Sequence, residues 1–416
     1  HRDLHSFPTR RSSDLFLFPL HGGLAGHGFA ACGALLDAGL KLLPLFSELP
    51  FGAFRTVTPT VLEIVLYYAA GGSILAFLGR RRSREAAPGG VGRKTALVWG
   101  LLSAVILGDL LYWTHDRFFR GDLRVTLIDV GQGNAILLEF PRGYRMLIDG
   151  GGFYDRDGFD VGARVVAPYL RKRRILTLDA VVLTHPDADH LNGLFAVVSE
   201  FRVKRLWSTG FETEGDGFGA FMALAAQRGI PAPAFDDLPR RRTIHGVEIA
   251  ILYPPPGFSR EDAARGIREK WRGKSNNRSM VLSLRMGGVG ILLPGDIEAA
   301  AERDLLERWG DRLRHRVLVA PHHGSRTSSS APFLATVRPE VVMISAGWDN
   351  RFRCPHPDVL ARYRALGAEV LRTDTVGALR LETDGRRLAV GPAGPAGRGI
   401  SIPGTRPRGI SAGPPP

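Results

Sequence analysis

DAVVLTHPDADH, residues 179–190, is the stretch that decides the fold. Ala180 to Leu183 is an unbroken apolar run, and a short run of this kind reads as a fully buried strand. It ends in His185-Pro186-Asp187-Ala188-Asp189-His190, four potential metal-ligating side chains in six residues. A buried strand with such an end delivers its polar groups to one rim of a sheet, where α/β proteins place their chemistry. In a tight loop His185 and Asp187 can face one ion, and Asp189 and His190 another. Imidazole and carboxylate together suit zinc or manganese. Asp189 could also cap the helical pattern at 190–200, and a cap and a ligand can coexist.

Working outward, three more apolar strands end in polar clusters: LIDGG (147–151), LLPGD (292–296) and VAPHHGS (319–325). A carboxylate placed like Asp296, after a fully apolar strand, is desolvated unless paired or metal-bound. Taken alone it could equally cap a turn. His322 and His323 offer another imidazole, while Gly324 and Ser325 allow close backbone approach to a phosphate. Val-, Ile- and Leu-rich strands alternate with helical periods near 161–171, 190–200, 218–228, 298–309 and 356–367. That alternation predicts an α/β layered domain over 120–390, roughly 270 residues long.

Upstream the pattern is different. Residues 61–79 and 95–113 each hold 14 apolar residues in 19, with Glu63 and Asp109 their only charges. Each would span roughly 28 Å as a helix, close to the thickness of a bilayer core. Buried core helices can look the same, so the connecting loop decides. It carries Arg80, Arg81, Arg82, Arg84, Arg93 and Lys94 against Glu85. Clustered Lys and Arg stay cytoplasmic. The hairpin therefore runs out–in–out, which puts everything after residue 113 outside the cytoplasm, with Tyr112 and Trp113 at the outer interface. Residues 16–54 are apolar but interrupted by Gly22, Gly23, Gly26, Gly28, Pro44 and Pro50, and read as a short or re-entrant membrane segment.

The ends carry little fold information. The chain starts at His1 and not Met, as a fragment does. Residues 1–15 resemble a translated sequencing adapter and are set aside as an artefact. Residues 391–416 hold seven Gly and seven Pro, a composition that predicts a disordered tail. Two cysteines in 416 residues exclude a disulfide scaffold. A formal charge of +14 favours anionic partners.

The motifs together resemble the metallo-β-lactamase superfamily, and specifically ComEC-type DNA-internalisation competence proteins. In family order the matching segments are Asp129-Val130-Gly131-Gln132-Gly133, Leu147-Ile148-Asp149-Gly150-Gly151 and Thr184-His185-Pro186-Asp187-Ala188-Asp189-His190. They continue with Asn276-Asn277-Arg278-Ser279, Pro294-Gly295-Asp296, Pro321-His322-His323-Gly324-Ser325, and Asn350 with His356-Pro357. The resemblance implies a metallo-β-lactamase-like αββα sandwich preceded by a transmembrane helical segment. Residues 16–115 would then be the C-terminal part of a channel domain whose remainder is missing. There are departures. Asp187 stands where the superfamily has a second His, and no His precedes the strand leading to Asp296, where Asn277 and Ser279 stand. Asn134 replaces an Asp common in relatives, and Cys354 replaces a Gly before His356; no ligand role is assigned to that thiol.

The resemblance also implies an activity: metal-dependent hydrolysis of a phosphodiester, as a nuclease acting on incoming DNA during natural transformation. Two divalent cations, Zn or Mn, would be held by His185, Asp187, Asp189 and His190, with Asp296 bridging. Asp189, His322, His323 and His356 form the catalytic set, the histidines binding phosphoryl oxygens or protonating the leaving group. Asp149 would orient a ligand histidine, and Asp129, Asn277, Ser279 and Ser325 would support the site or the substrate. Arg171, Lys172, Arg173 and Arg174 either end a solvated helix with a favourable dipole or track the DNA backbone. The expected location is the inner (cytoplasmic) membrane, multi-pass, with the hydrolase domain on the extracytoplasmic side. The expected partners are DNA, the membrane, the rest of the channel and other DNA-uptake proteins. Two other readings stay open: a membrane-anchored phosphodiesterase or lactonase of the same fold, and a DNA-guiding domain without turnover.

Overall fold

The computed structural model describes residues 22–48, 56–82, 93–153, 158–211, 217–257, 275–394 and 400–402. The expectations for residues 1–15, Arg84 and Glu85, and for the tail beyond 402, lie outside the described residues. The chain divides into two units, His1–Thr56 and Val57–Pro416.

Among the described residues of the first unit, Gly22–Glu48 forms a helix of 27 residues. The helix is continuous across the glycines and Pro44 that were expected to interrupt a short or re-entrant segment. Gly22 to Gly28 fall in its first two turns and Pro44 close to its end, so the helix loses few internal hydrogen bonds to them.

The second unit opens with helices Val61–Arg82 and Arg93–Phe118. Their apolar spans, Val61–Gly79 and Thr95–Phe118, are long enough to cross a membrane, and neither is buried against the rest of the protein. That exposure is consistent with helices that face lipid. Thr60 and Glu63 start the first of these helices with a reciprocal capping box. The Thr60 amide donates to Glu63 Oε2 at 2.7 Å, and the Glu63 amide donates to Thr60 Oγ1 at 3.2 Å.

Two sheets follow. In the first, strands β1 (Leu123–Leu127), β2 (Ile136–Glu139) and β3 (Arg145–Ile148) form a meander. β3 then pairs in parallel with β5 (Ala180–Leu183), and β5 in parallel with β7 (Leu206–Ser208). A two-stranded pair, β4 (Thr177–Leu178) with β6 (Arg202–Val203), lies apart from it. The second sheet contains β8 (Arg241–Ile244), β9 (Val247–Tyr253), β10 (Val281–Met286) and β11 (Val289–Leu293), all antiparallel. It ends in three parallel additions: β12 (Val317–Val319), β13 (Val341–Ile344) and β14 (Glu369–Arg372). The chain returns to the first sheet with β15 (Leu379–Thr383), β16 (Leu388–Pro392) and β17 (Ile400–Ile402).

The layering follows from side-chain alternation. Ala180 and Val182 of β5 join the core between the sheets, where they meet Val289, Ile291 and Leu293 of β11. Val181 and Leu183 face outward and pack with residues of helix Leu194–Glu200. Leu292 faces outward on the other side, among residues of helix Ala299–Trp309. Two sheets with helices on both outer faces make the expected αββα sandwich. One expectation needs correction. The segment from 391 onward does not leave the fold at once, because Leu388–Val390 pairs antiparallel with Ile400–Ile402 at the sheet edge. Backbone pairing at an edge needs no apolar side chains, so composition did not signal it.

Candidate metal centre

The parallel strands deliver the polar residues to one rim. Asp149 follows β3, Thr184 to His190 follow β5, Asp296 follows β11, His322 and His323 follow β12, and Ser345 follows β13. Ligand atoms of Asp189, His190, Asp296 and His323 all lie within 4.8 Å of one another. Asp296 Oδ2 is the focus, 3.3 Å from His190 Nε2 and 3.2 Å from His323 Nε2. His323 Nε2 is also 3.4 Å from Asp189 Oδ2.

The imidazoles share one hydrogen-bonding plan. His190 Nδ1 is 2.8 Å from Asp149 Oδ2, and His323 Nδ1 donates to the Ser345 carbonyl at 3.0 Å. His185 Nδ1 lies 3.0 Å from Thr184 Oγ1 and 3.2 Å from Ser279 Oγ. The Nε2 atoms of all three are buried without a hydrogen-bond partner. Buried polar atoms are normally satisfied. Rings anchored through one nitrogen, with the other turned toward carboxylates, are the arrangement that presents imidazole to a cation. The donor set of two imidazoles and two carboxylates fits a divalent metal.

Charge accounts for the protonation of these groups. Burial works against charge at His190, yet the Asp296, Asp149 and Asp189 carboxylates raise its pKa well above the ordinary imidazole value. Burial likewise opposes charge at His323, but Asp296 and Asp189 push it up to about 9. Asp189, despite its burial, is held down to about 2 by His190 and His323. Asp296 is driven well below the ordinary carboxylate range by the same two imidazoles, again against the cost of burial. At His185 burial dominates and, helped by His190, depresses the imidazole. Protons and a cation compete for the same nitrogens.

The loops are locked together by backbone. Gly150 N donates to the His190 carbonyl at 2.7 Å, and Asn134 N to the Asp189 carbonyl at 3.2 Å. At Gly133, φ is +113° and a Cβ would lie 2.1 Å from the Asp189 carbonyl oxygen, so only glycine fits. Asp149, His322 and His323 take the left-handed conformation, with φ of 59°, 49° and 55°. Strain of this kind gathers where a side chain must be aimed.

The other predicted residues divide by placement. His185 Nε2 lies 3.6 Å from Asp187 Oδ2, and its ring centroid is 4.1 Å from that of His190, so this pair flanks the four-residue cluster. His322 Nε2 is 4.0 Å from Asp296 Oδ2 and 3.3 Å from Asn276 Nδ2. Asp149 accepts from the Thr184 amide and hydroxyl, both at 2.8 Å, as well as holding His190. Ser279 Oγ accepts from the Asp296 amide at 3.1 Å. Asn277 Oδ1 accepts from the Glu298 amide at 3.0 Å, and its side-chain amide donates to Glu298 Oε2.

Several predicted residues lie outside the cluster. His356 caps helix Pro357–Ala365, its Nδ1 accepting from the Asp358 amide at 3.2 Å. Ser325 Oγ pairs with Thr327 Oγ1, and exposed Asp129 accepts from the Gly131 amide. Arg171, Arg173 and Arg174 do not form an open basic face. Arg171 pairs with Glu200, Arg173 with Glu139 at 3.1 Å, and Arg174 with Glu63. Those acids lie 29 to 111 residues away in sequence, beyond the reach of local reading. Lys172 alone of the four is exposed. Burial, with help from Asp296 and Asp189, pushes the Cys354 thiol up to about 11. Without a cation at the cluster the thiol stays protonated. Thr184, Ser345 and Glu298 were not singled out by sequence. Thr184 and Ser345 sit at strand ends beside the predicted ligands, which is the signal that was there to be read.

The sequence also matches a known protein family. Residues 128–348 match the profile of the Metallo-beta-lactamase superfamily. Among curated relatives, ComE operon protein 3 of Bacillus subtilis (strain 168) is 31% identical over 270 residues, covering 62% of this chain and 32% of that protein. Competence protein ComA of Neisseria gonorrhoeae is 29% identical over 282 residues, covering 68% and 35%. The chain thus spans about a third of the length of these relatives. Among solved structures, Igni18, a metallo hydrolase from Ignicoccus hospitalis KIN4/I, aligns with a TM-score of 0.39 at 15% identity, covering 62% of this chain and 98% of that one.

Proposed function

The chain belongs to the metallo-β-lactamase superfamily, and on that premise we propose that it is a metal-dependent phosphodiester hydrolase acting on DNA at a membrane uptake channel. The observation that carries the reading is the convergence of Asp189, His190, Asp296 and His323 with buried, unpartnered imidazole nitrogens. One cation would be held by Asp189, His190 and His323. A second would be held by His185 and Asp187, with Asp296 shared between the two. Bound divalent cations supply Lewis-acid stabilisation of the phosphoryl charge and acidify water.

The protein's own residues do the rest. Asp149 fixes the His190 ring through Nδ1, and Ser345 fixes His323 in the same way. His322, on the open side of Asp296 and 26% exposed, is placed to hydrogen-bond a phosphoryl oxygen or return a proton to the leaving oxygen. Trp348 is 83% exposed and follows Gly347, whose Cβ position would come within 3.0 Å of the Gln132 amide. It offers a stacking platform for an unpaired base. The relatives named as competence proteins support DNA as the substrate class, and the basic loop between the two apolar helices supports an extracytoplasmic domain.

One feature favours a second reading. Asn277 and Ser279 stand in the stretch where superfamily members place a ligand histidine, leaving the first metal position with fewer strong donors. A DNA-guiding domain without turnover would follow from weak occupancy there. The test is cleavage of labelled single-stranded DNA by the purified chain with added Mn²⁺. Cleavage by the wild type and none by Asp189→Asn supports hydrolysis. DNA binding without cleavage at saturating metal supports guiding.

A further inference from the structure

Where helix Arg93–Phe118 meets the sandwich, basic side chains from three separate segments come together. They are Arg117 at the helix end, Arg145 at the start of β3, and Arg173 with Arg174. They line a cavity of about 240 Å³ together with Trp113 and Asp116. That is room for about eight waters, ample for a phosphate group. Arg174 lies over the Trp113 ring at 4.2 Å.

The acids nearby do not neutralise this group evenly. Arg173 takes Glu139 at 3.1 Å and Asp116 at 3.6 Å, and Arg174 takes Glu63. Arg145 reaches Glu139 only at 3.9 Å, and among the described residues no carboxylate lies within ion-pair distance of Arg117. Arg145 is only 4% exposed, and its Nε and Nη1 have no hydrogen-bond partner. The Nε atoms of Arg117, Arg173 and Arg174 are likewise buried and unpartnered. Buried guanidinium donors in this state carry a desolvation cost that an anion would relieve. The charge balance agrees. Burial, against the pull of Glu139 and with repulsion from Arg117, Arg173 and Arg120, brings Arg145 down to about 10.

We propose that this cavity binds the phosphate of an anionic membrane phospholipid headgroup. The inference rests on reading the two apolar helices as membrane-spanning. Its location favours a lipid over other phosphates, because Trp113 lies in the last third of the apolar span Thr95–Phe118 and Leu110, Tyr112 and Phe119 are exposed near it in sequence. Amphipathic aromatic rings favour the headgroup level, and the exposed apolar side chains suit acyl chains. Guanidinium forks suit the phosphate.

The test uses the full chain in zwitterionic detergent, titrated with dioctanoyl-phosphatidylglycerol and followed by thermal unfolding. Wild type should be stabilised saturably, and dioctanoyl-phosphatidylcholine should give no comparable shift. Arg117→Gln and Arg145→Gln should each weaken the apparent affinity by about tenfold, the loss of one charge-assisted contact. Arg117→Gln should keep wild-type DNA cleavage and circular dichroism. Equal response to both lipids, or an unaltered response in Arg117→Gln, overturns the site. Equal stabilisation by inorganic phosphate or a thymidine octamer, lost in the same variants, overturns the lipid assignment. A chain that stays in solution without detergent sinks the membrane premise. A chain that needs detergent but ignores phosphatidylglycerol sinks only the cavity.

Discussion

Asp149 Oδ2 lies 2.8 Å from His190 Nδ1, while His190 Nε2, on the far side of the ring, faces Asp296 Oδ2 at 3.3 Å. One carboxylate thus aims the imidazole that another carboxylate meets. Asp149→Asn keeps the volume but removes the charge. It should cost about 10- to 100-fold in divalent-metal affinity, as loss of an outer-shell partner does. Calorimetric Mn²⁺ titration of the two proteins, with matching circular dichroism, checks this. An unchanged affinity would mean that the ring is aimed by packing alone.

Proton competition sets a pH dependence with opposite signs for the metal-free and metal-loaded protein. His323 is raised from 6.5 to about 9, so its stabilisation of the metal-free fold is complete below pH 6.5 and fades as pH climbs through about 9. Asp189 is lowered from 3.8 to about 2, so its contribution holds above pH 3.8 and fades as pH falls through about 2. Metal-free protein should therefore lose stability between pH 6.5 and 9. Mn²⁺ affinity should rise over the same range as protons leave. Thermal unfolding with and without metal across that range reads both trends. Parallel curves would contradict the competition.

Gly133 is the joint between its loop and the metal loop. Gly133→Ala must find room for a methyl 2.1 Å from the Asp189 carbonyl oxygen at a φ of +113°. A loss of more than about 1 kcal/mol of stability is expected, together with weaker metal binding. Gly210→Ala, also at positive φ but with open space around it, serves as the control for backbone strain alone. Equal effects at both positions would remove the loop-locking argument.

Trp348→Ala should raise KM for single-stranded DNA by about tenfold, the low end of a stacking contribution. It should leave kcat and metal content unchanged, because Trp348 is 83% exposed. Steady-state kinetics on a fluorescent oligonucleotide separates the two parameters. An unaltered KM would take the ring out of the substrate path.

Legibility in the sequence followed the range of the interactions. Apolar strands with polar ends are local patterns, so Asp149, His185, Asp189, His190 and Asp296 could be read from single segments and assembled by supposing one rim. The choice between His322 and His323 could not be read, because it depends on the Ser345 carbonyl that anchors His323 from a different strand. The fate of Arg173 and Arg174 was equally remote, fixed by Glu139 and Glu63. His356 sits before Pro357 and Asp358, where its local use as a helix cap was available to be seen. The edge strand Ile400–Ile402 uses main-chain bonds, which composition does not encode.

The most direct test compares metal content and DNA cleavage on the same samples of wild type and Asp296→Asn. Asp296 Oδ2 lies within 3.3 Å of the Nε2 atoms of both cluster imidazoles. The account predicts that wild type keeps divalent cation through desalting and cleaves single-stranded DNA, and that Asp296→Asn, still folded, loses both. A folded Asp296→Asn protein that holds cation and cleaves like wild type would contradict it.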